Sequence, residues 1–337
     1  MNTLSTIDRV QAGENLSRAE MADTIASMVG GQWSDDDAAA LLLALRDKGE
    51  TADEIAGAAE ALRCHMTRIH TRRTGLVDTC GTGGDASGTF NISTAAALVA
   101  SGAGVPVAKH GNRAITSKSG SADVLAELDV NIEAPVAVVE RCLDEVGICF
   151  CFAPLLHPAM KNVAAVRKKL GVPTIFNLLG PLCNPAGAPF QLLGVGRPNL
   201  HRMMAEVLAL LGTERSLVVC GSDGLDEVTL GGTTHAIEVT PSGLVEHHWT
   251  PHDFGLAACE RSALLAEDAR SSAKIIRGVL AGKRGAPRDV TVAGAAAALW
   301  IAGRGRSLSA CARLAEGAID SGAASHVLDR LAEVSRS

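Results

Sequence analysis

The chain contains no tyrosine, and aromatic residues make up only 3% of its 337 residues. Its hydrophobic core must therefore be built from aliphatic side chains and alanine. Positive charge is also in short supply, since the formal net charge is −6. This acidic balance argues against a general nucleic-acid-binding surface. An anionic ligand would have to be bound by lysines and arginines concentrated at one place.

Signals for disulfides, export and membrane insertion are missing as well. The nine cysteines show no C-x-x-C spacing, and most lie in apolar runs, which predicts reduced, buried thiols. No basic segment followed by an apolar one opens the chain, and no apolar run reaches the roughly 18 residues of a membrane span. We therefore expect a cytoplasmic protein that does not contact membranes.

A glycine-rich stretch, residues 78–85, is the most informative part of the sequence. Gly81, Gly83 and Gly84 leave little side-chain bulk, so backbone N–H groups can approach a phosphate. Ser93 and Thr94 then open a predicted helix, whose N-terminus favours an anion. The carboxylate of a dinucleotide fingerprint and the lysine of a P-loop are both absent. The sequence predicts a phosphate site of another kind, with a plain glycine turn as the alternative.

Two kinds of pattern divide the chain. Hydroxyl caps at Ser17, Ser34 and Thr51 each precede helical spacing of apolar residues in the first 70 residues. Short β-like runs then alternate with longer helical ones. Strands are predicted at 76–78, 105–108, 149–151, 191–195 and 217–220. Helices are predicted at 121–128, 136–146, 159–170, 200–211, 264–281 and 293–302.

This alternation predicts an α/β fold with a small N-terminal helical domain and a larger α/β domain that contains a mostly parallel sheet. We expect the helical domain to span residues 1–72, joined by about 160–186, and the α/β domain to span 73–337. The breaker-rich segment 176–185 is a candidate hinge beside the site.

Two further loops follow predicted strands. Lys109, Asn112 and Arg113 supply positive charge and amide groups for phosphates, although an exposed basic turn is the alternative. Asp226 and Glu227 form a carboxylate pair of the kind that holds Mg²⁺ beside substrate phosphates. In isolation, a solvated acidic turn is the more probable explanation of that pair.

Three histidines carry weaker signals. His157 adjoins the breaker-rich segment and is expected to line the site. His247 and His248 lack zinc spacing and are expected at the surface.

Seven motifs occur in one order: GTGGD at 81–85, NIST at 91–94, KHGNR at 109–113, SGSAD at 119–123, HPAM at 157–160, FNLLGP at 176–181 and DE at 226–227. With them the chain resembles the anthranilate phosphoribosyltransferase family of tryptophan biosynthesis along almost its whole length. The resemblance implies transfer of the phosphoribosyl group of phosphoribosyl pyrophosphate (PRPP) to the amine of anthranilate, with release of pyrophosphate. It also implies two Mg²⁺ ions per monomer and a homodimer formed through the helical domain.

The resemblance also assigns site residues. PRPP positions are Gly81, Gly84, Asp85, Thr89, Asn91, Ile92, Ser93, Thr94, Lys109, His110, Gly111, Asn112, Arg113, Ala114, Ile115, Thr116, Ser117 and Ser121. Anthranilate positions are Gly81, Asn112 and Arg167, with His110 and His157 as further candidates. Magnesium positions are Ser93, Asp226 and Glu227. No clear general base is implied, and Lys109 is expected to support the transition state.

The chain departs from the family pattern at Ala165, Cys183 and Gly294, none of which is a catalytic position. Two other functions stay open from the sequence. A pyrimidine nucleoside phosphorylase would share the architecture but use free phosphate and a nucleoside, and a non-catalytic relative would bind nucleic acid.

Overall fold

The computed structural model describes residues 3–83, 87–114 and 119–337. The chain begins with a bundle of four helices: α1 (Thr3–Gln11), α2 (Arg18–Val29), α3 (Asp35–Lys48) and α4 (Ala52–Cys64). The three predicted hydroxyl caps are confirmed. Ser17 and Thr51 form reciprocal capping boxes with a glutamate in the third helical position. Ser34 caps α3 without the reciprocal backbone bond, and its hydroxyl instead donates to the shorter side chain of Asp37.

A seven-stranded sheet follows. Its strands are β1 (Val77–Gly81), β2 (Val107–Gly111), β3 (Ile148–Phe152), β4 (Phe190–Gly194), β5 (Arg215–Gly221), β6 (Thr234–Thr240) and β7 (Gly243–Trp249). Their spatial order is β3-β2-β1-β4-β5-β6-β7, and β1 to β5 are parallel. The mostly parallel sheet is therefore confirmed, and all five predicted strands belong to it.

The β6–β7 hairpin was missed from the sequence. It pairs antiparallel with β5 and carries polar residues on both faces, so its alternation between polar and apolar residues is weak. His247 and His248 lie in β7. His248 is exposed as expected, whereas His247 is half-buried and hydrogen-bonds Glu238.

The helices after the bundle are α5 (Ile92–Gly102), α6 (Ser121–Glu127), α7 (Val136–Arg141), α8 (Ala153–Leu156), α9 (Lys161–Leu170), α10 (Phe176–Leu179), α11 (Pro198–Leu210), α12 (Pro251–Phe254), α13 (Ala269–Leu280), α14 (Ala286–Ile301), α15 (Leu308–Asp320) and α16 (Ala323–Ser335). The helix predicted at 264–281 begins only at Ala269, because Asp268 caps it. The helix predicted at 293–302 begins earlier, at Ala286. The helix predicted at 136–146 ends in a π-helical turn over Cys142–Val146.

Two hydrophobic cores lie on opposite faces of the sheet. Alternate residues of a strand point to opposite faces, so Leu192 of β4 joins the core beneath α5 and α14, while Leu193 joins the core beneath α11. The second core continues into α2, α3 and α4 and includes Val163 of α9 and Phe176 of α10. In the part of the chain that the structure describes, no helix is long and apolar enough to cross a membrane.

Candidate active site

The predicted site residues gather at the carboxyl ends of β1, β2 and β4. Strand β1 lies between β2 and β4, so the direction of chain progression reverses at this point of the sheet. Loops that leave two parallel strands in opposite directions open a crevice there, which is where ligands bind in open α/β sheets. The glycine loop leaves β1 on one side of this crevice.

The N-terminus of α5 carries the first group of predicted PRPP residues. Asn91 caps the helix, and its Oδ1 accepts from the Thr94 N–H at 3.1 Å and from the Ser93 hydroxyl at 3.4 Å. The Thr94 side chain is buried, and its hydroxyl has no hydrogen-bond partner among the described residues. The Ile92 side chain is buried in the core, so only its backbone can reach a ligand. Thr89 is half-buried just before this helix.

Lys109 points into the protein. Its Nζ donates to the Thr79 carbonyl at 2.5 Å and to the Ser93 hydroxyl at 3.1 Å, and only 3% of the residue is exposed. Burial lowers the pKa of Lys109, while the carboxylates of Asp78 and Glu227 oppose that shift. In this conformation the ammonium group therefore acts on the site through Ser93 and does not point into open space.

Asp226 lies directly against the ends of two strands. A Cβ on Gly81 would meet Asp226 Oδ2 at 2.8 Å, and a Cβ on Gly194 would meet the Asp226 carbonyl at 1.7 Å. Only glycine at these two positions lets the loop after β5 approach so closely. Glu227 is half-buried beside Asp226 and is close enough to act electrostatically on Lys109.

This donor set fits magnesium bound together with a substrate. Asp226, Glu227 and Ser93 offer hard oxygen ligands at one edge of the sheet. Within residues 3–83, 87–114 and 119–337, no three His, Cys, Asp or Glu side chains converge as a complete metal cage. Two carboxylates and a hydroxyl leave several coordination positions, which suits a cation that keeps waters and substrate phosphate oxygens.

His110 and His157 form a buried pair. His110 Nδ1 lies 2.9 Å from the Gly180 carbonyl, and the two Nε2 atoms are 3.1 Å apart. Because a carbonyl only accepts, His110 Nδ1 carries a proton and donates to Gly180. Burial lowers the pKa of His110 to about 3 and that of His157 to about 4. Both rings are therefore neutral at pH 7.

Arg167 lies across the crevice from this pair, on α9. Its guanidinium stacks over the Phe176 ring at 5.5 Å, and burial lowers its pKa. A cavity of about 470 Å³ is lined by Gly81, His110, Asn112, His157 and Arg167 together with apolar residues and the polar Thr82, Lys161 and Asn177. The first five are the residues predicted for anthranilate, and the structure brings all of them to one cavity.

The loop after β2 is tied down by charge pairs in its described part. Arg113 contacts Asp123 and Glu133 at 3.2 and 3.3 Å, so its charge is already matched by carboxylates. Asp123 also accepts the Ala114 N–H. A Cβ on Gly111 would lie 2.1 Å from the Ser121 hydroxyl, which places Ser121 at the end of β2. Five predicted PRPP residues lie outside the described residues: Gly84, Asp85, Ile115, Thr116 and Ser117.

Sequence reasoning missed some buried polar residues beneath the site. Asp78 is fully buried, and its Oδ1 accepts the His110 N–H at 3.1 Å. Burial raises the pKa of Asp78. Ser272, on α13, accepts the backbone N–H of Asn91. A carboxylate in a predicted strand, directly after Leu76 and Val77, was the available signal for Asp78, whereas nothing local distinguished Ser272 from the adjacent Ser271.

The fold is that of a two-domain glycosyl transferase, with a crevice at the carboxyl ends of its parallel strands. Residues 4–66 match the helical bundle domain of the glycosyl transferase family, and residues 73–325 match its a/b domain. The chain is 52% identical over 327 residues to an anthranilate phosphoribosyltransferase of Rhodopirellula baltica, covering 97% of this chain and 96% of the relative.

Solved structures agree with this match. The anthranilate phosphoribosyltransferase of Thermus thermophilus superimposes with a TM-score of 0.92 at 41% identity, over 98% of this chain and 99% of that one. The Saccharomyces cerevisiae enzyme in complex with PRPP and Mg gives 0.90 at 29% identity, over 99% and 98%. Its complex with 4-fluoroanthranilate gives 0.90 at 28% identity, over 99% and 97%. The chain belongs to the anthranilate phosphoribosyltransferase family.

Proposed function

We infer that this chain transfers the phosphoribosyl group of PRPP to the amine of anthranilate, giving N-(5-phosphoribosyl)anthranilate and pyrophosphate. The observation that carries this inference is the position of Gly81. It lines the acceptor cavity and also contacts Asp226 of the carboxylate pair. An acceptor in the cavity and a diphosphate at the carboxylates therefore meet at one point, where the reacting ribose carbon belongs.

The acceptor side fits anthranilate by charge and shape. Arg167 supplies a desolvated cation for the carboxylate, and the Asn112 side chain supplies an amide that can orient it. Because His110 and His157 are neutral, they place no positive charge beside the amine or beside a ribose carbon that gains cationic character. Such a site needs positioning and exclusion of water more than a strong base.

The donor side fits PRPP. The N-terminus of α5 offers backbone N–H groups to phosphate oxygens. Asp226, Glu227 and Ser93 would hold magnesium, as the complex of the yeast relative with PRPP and Mg supports. When bound, magnesium neutralises charge on the leaving pyrophosphate. We propose two ions per monomer, since two carboxylates and one hydroxyl leave ligand positions for diphosphate oxygens.

We also propose that residues 1–72 and about 160–186 move as one body relative to the rest of 73–337. Support comes from α9, which is tied to the bundle by Asn162, whose amide donates to the Val29 carbonyl at 2.7 Å, and by Lys169, which donates to Asp36 at 3.2 Å. Arg167 would then approach the donor as the crevice closes. A homodimer formed through the bundle is proposed as well, supported by Leu4 of α1, which is 62% exposed. We place the enzyme in the cytoplasm, where the substrates of amino-acid biosynthesis occur.

The decisive test mixes the protein with anthranilate, PRPP and Mg²⁺ and follows the loss of anthranilate fluorescence. We expect turnover that needs all three. Phosphorolysis of thymidine without Mg²⁺ would instead indicate the phosphorylase, and salt-sensitive retention on DNA without turnover would indicate a nucleic-acid-binding relative. Sedimentation at twice the 34.7 kDa chain mass is expected for the homodimer.

A further inference from the structure

We propose that Ser272 is a positioning residue for the donor side of the active site. Ser272 lies in the first turn of α13 and is completely buried. Its Oγ accepts the backbone N–H of Asn91 at 2.9 Å. This proposal rests on the proposed function, because it assigns Ser272 a role in holding the groups that would bind PRPP and magnesium.

The hydrogen bond from Asn91 to Ser272 gives the Asn91 backbone N–H an acceptor that α5 itself does not provide. Asn91 is the N-cap of α5, so its own N–H lies outside the ladder of helical hydrogen bonds. A buried backbone N–H without an acceptor is costly, and the Ser272 hydroxyl supplies that acceptor. Ser272 thus fixes where the α5 cap lies relative to the sheet.

The orientation of Asn91 in turn decides how Ser93 is presented. Lys109 can only donate, so the Ser93 hydroxyl accepts from it at 3.1 Å and turns its own proton toward Asn91 Oδ1 at 3.4 Å. One lone pair of Ser93 then remains for a cation or a ligand. If Asn91 shifts, both that lone pair and the Thr94 N–H held by the same Oδ1 shift with it.

The chain just before Ser272 is anchored on the same part of the site. The Phe90 N–H donates to Leu264, and the Ala266 N–H donates to Gly88, both at 2.9 Å. These two bonds flank a β-bridge between Thr89 and Leu265. Residues 264–272 therefore hold the whole stretch from Gly88 to Asn91 in place.

The segment just before residue 264 also contacts the loop that carries the carboxylate pair. The Cys259 N–H donates to Leu230 at 3.0 Å, and Arg261 donates to the Asp223 carbonyl at 3.2 Å. Residues 259–272 thus bridge the two loops that would share a diphosphate and its cations. They do not line the acceptor cavity. A defect in this bridge should affect PRPP and magnesium, and should leave anthranilate binding intact.

The test compares Ser272→Ala with Ser271→Ala, a matched control one residue away. The Ser271 hydroxyl accepts the N–H groups of Glu267 and Asp268 and hydrogen-bonds none of the site residues that the structure describes. Both variants remove one hydroxyl from the start of α13. We expect Ser272→Ala to raise the KM for PRPP about tenfold and to leave the KM for anthranilate within about twofold. Ser271→Ala should lower the melting temperature without changing either KM.

Calorimetric titration of the Mg²⁺–PRPP complex into both proteins should show the same tenfold difference in Kd, independently of turnover. Ser272→Cys keeps the connectivity of the side chain but offers a larger and weaker acceptor, so an intermediate KM is expected. Unchanged PRPP affinity in Ser272→Ala, an equal rise in both KM values, or the same PRPP defect in Ser271→Ala would overturn the positioning role. A wild-type protein that binds PRPP but does not consume anthranilate would instead contradict the proposed reaction.

Discussion

Replacing Gly81 with alanine isolates the contact on which the proposed donor site depends. The new Cβ would lie 2.8 Å from Asp226 Oδ2, whereas ordinary contact begins near 3.4 Å. The carboxylate oxygen must therefore retreat by about 0.6 Å, the difference between those two values. Metal–ligand distances tolerate only about 0.2 Å. Asp226 should consequently be lost as a well-placed magnesium ligand.

The expected loss of magnesium affinity follows from this displacement of Asp226. Misplacing a metal ligand weakens metal affinity about 10- to 100-fold, which corresponds to roughly 1.4–2.8 kcal/mol. Stability should change little, because the displaced atom is the end of a flexible side chain and Gly81 does not occupy the left-handed region. Gly194→Ala is different, since its Cβ would meet a backbone oxygen at 1.7 Å. That variant should lose stability as well as activity.

The assay is a Mg²⁺ activation curve at saturating anthranilate, with thermal melting measured in parallel. For Gly81→Ala we expect the Mg²⁺ midpoint to rise about 10- to 100-fold while the melting temperature stays within roughly 2 °C. Gly317→Ala, on α15 with open space around its Cβ, is the control that should leave the Mg²⁺ midpoint unchanged and raise the melting temperature slightly, because alanine is favoured over glycine inside a helix. A Gly81→Ala enzyme with the wild-type Mg²⁺ midpoint would refute the placement of Asp226 at the metal.

Four further outcomes are expected. Arg167→Ala removes a desolvated charge contact of roughly 1.5–3 kcal/mol. The KM for anthranilate should therefore rise about 10- to 100-fold, with a smaller change in the KM for PRPP. Equal rises in the two KM values would contradict the separation of the two subsites. Asp226→Ala combined with Glu227→Ala should abolish Mg²⁺-dependent turnover with circular dichroism unchanged, and near-wild-type kcat at limiting Mg²⁺ would rule out their role. His110 and His157 titrate at about 3 and about 4 in the folded protein but near 6.5 when unfolded. Their contribution to stability is thus present above about pH 6.5 and is lost as pH falls toward 4, so the urea midpoint should drop over that window, and a flat profile would contradict their burial as neutral rings. X-ray scattering should show a more compact particle with PRPP, Mg²⁺ and an unreactive anthranilate analogue than without ligands, whereas identical domain angles in free and liganded crystals would refute closure.

Sequence patterns predicted the elements that local chemistry determines. The caps at Ser17, Ser34 and Thr51 follow from side-chain hydroxyls acting within one turn, and the structure confirms them. The strands β1 to β5 followed from apolar runs buried on both faces. The β6–β7 hairpin did not, because His235 and Glu246 place polar groups on a face that also contacts α11.

The family resemblance also indicated which residues meet at the acceptor cavity, although Gly81 lies at the end of β1, His110 in β2 and Arg167 in α9. The resemblance did not predict how these side chains are oriented. Lys109 was expected to face phosphates, but its direction depends on how deeply β2 is buried and on which carbonyl it meets. Ser272 could not be predicted from the sequence for a related reason. It contacts Asn91, which lies 181 positions away in the sequence, and no spacing rule connects the two residues.

Because aromatic residues are scarce, the intrinsic fluorescence of the protein comes from a few identifiable side chains. Trp33 lies in the helical bundle, where its Nε1 donates to Ser27, whereas Trp249 and Trp300 pack edge to face 5.7 Å apart on the α/β side. With no tyrosine to contribute and no tryptophan lining the cavity, emission comes from two separate regions. Bound anthranilate absorbs where tryptophan emits, so energy transfer from each region reports its own distance to the acceptor. A Trp33→Phe variant would leave only Trp249 and Trp300 as energy donors. The difference in energy transfer between wild type and this variant would then report the distance between the helical bundle and the bound anthranilate.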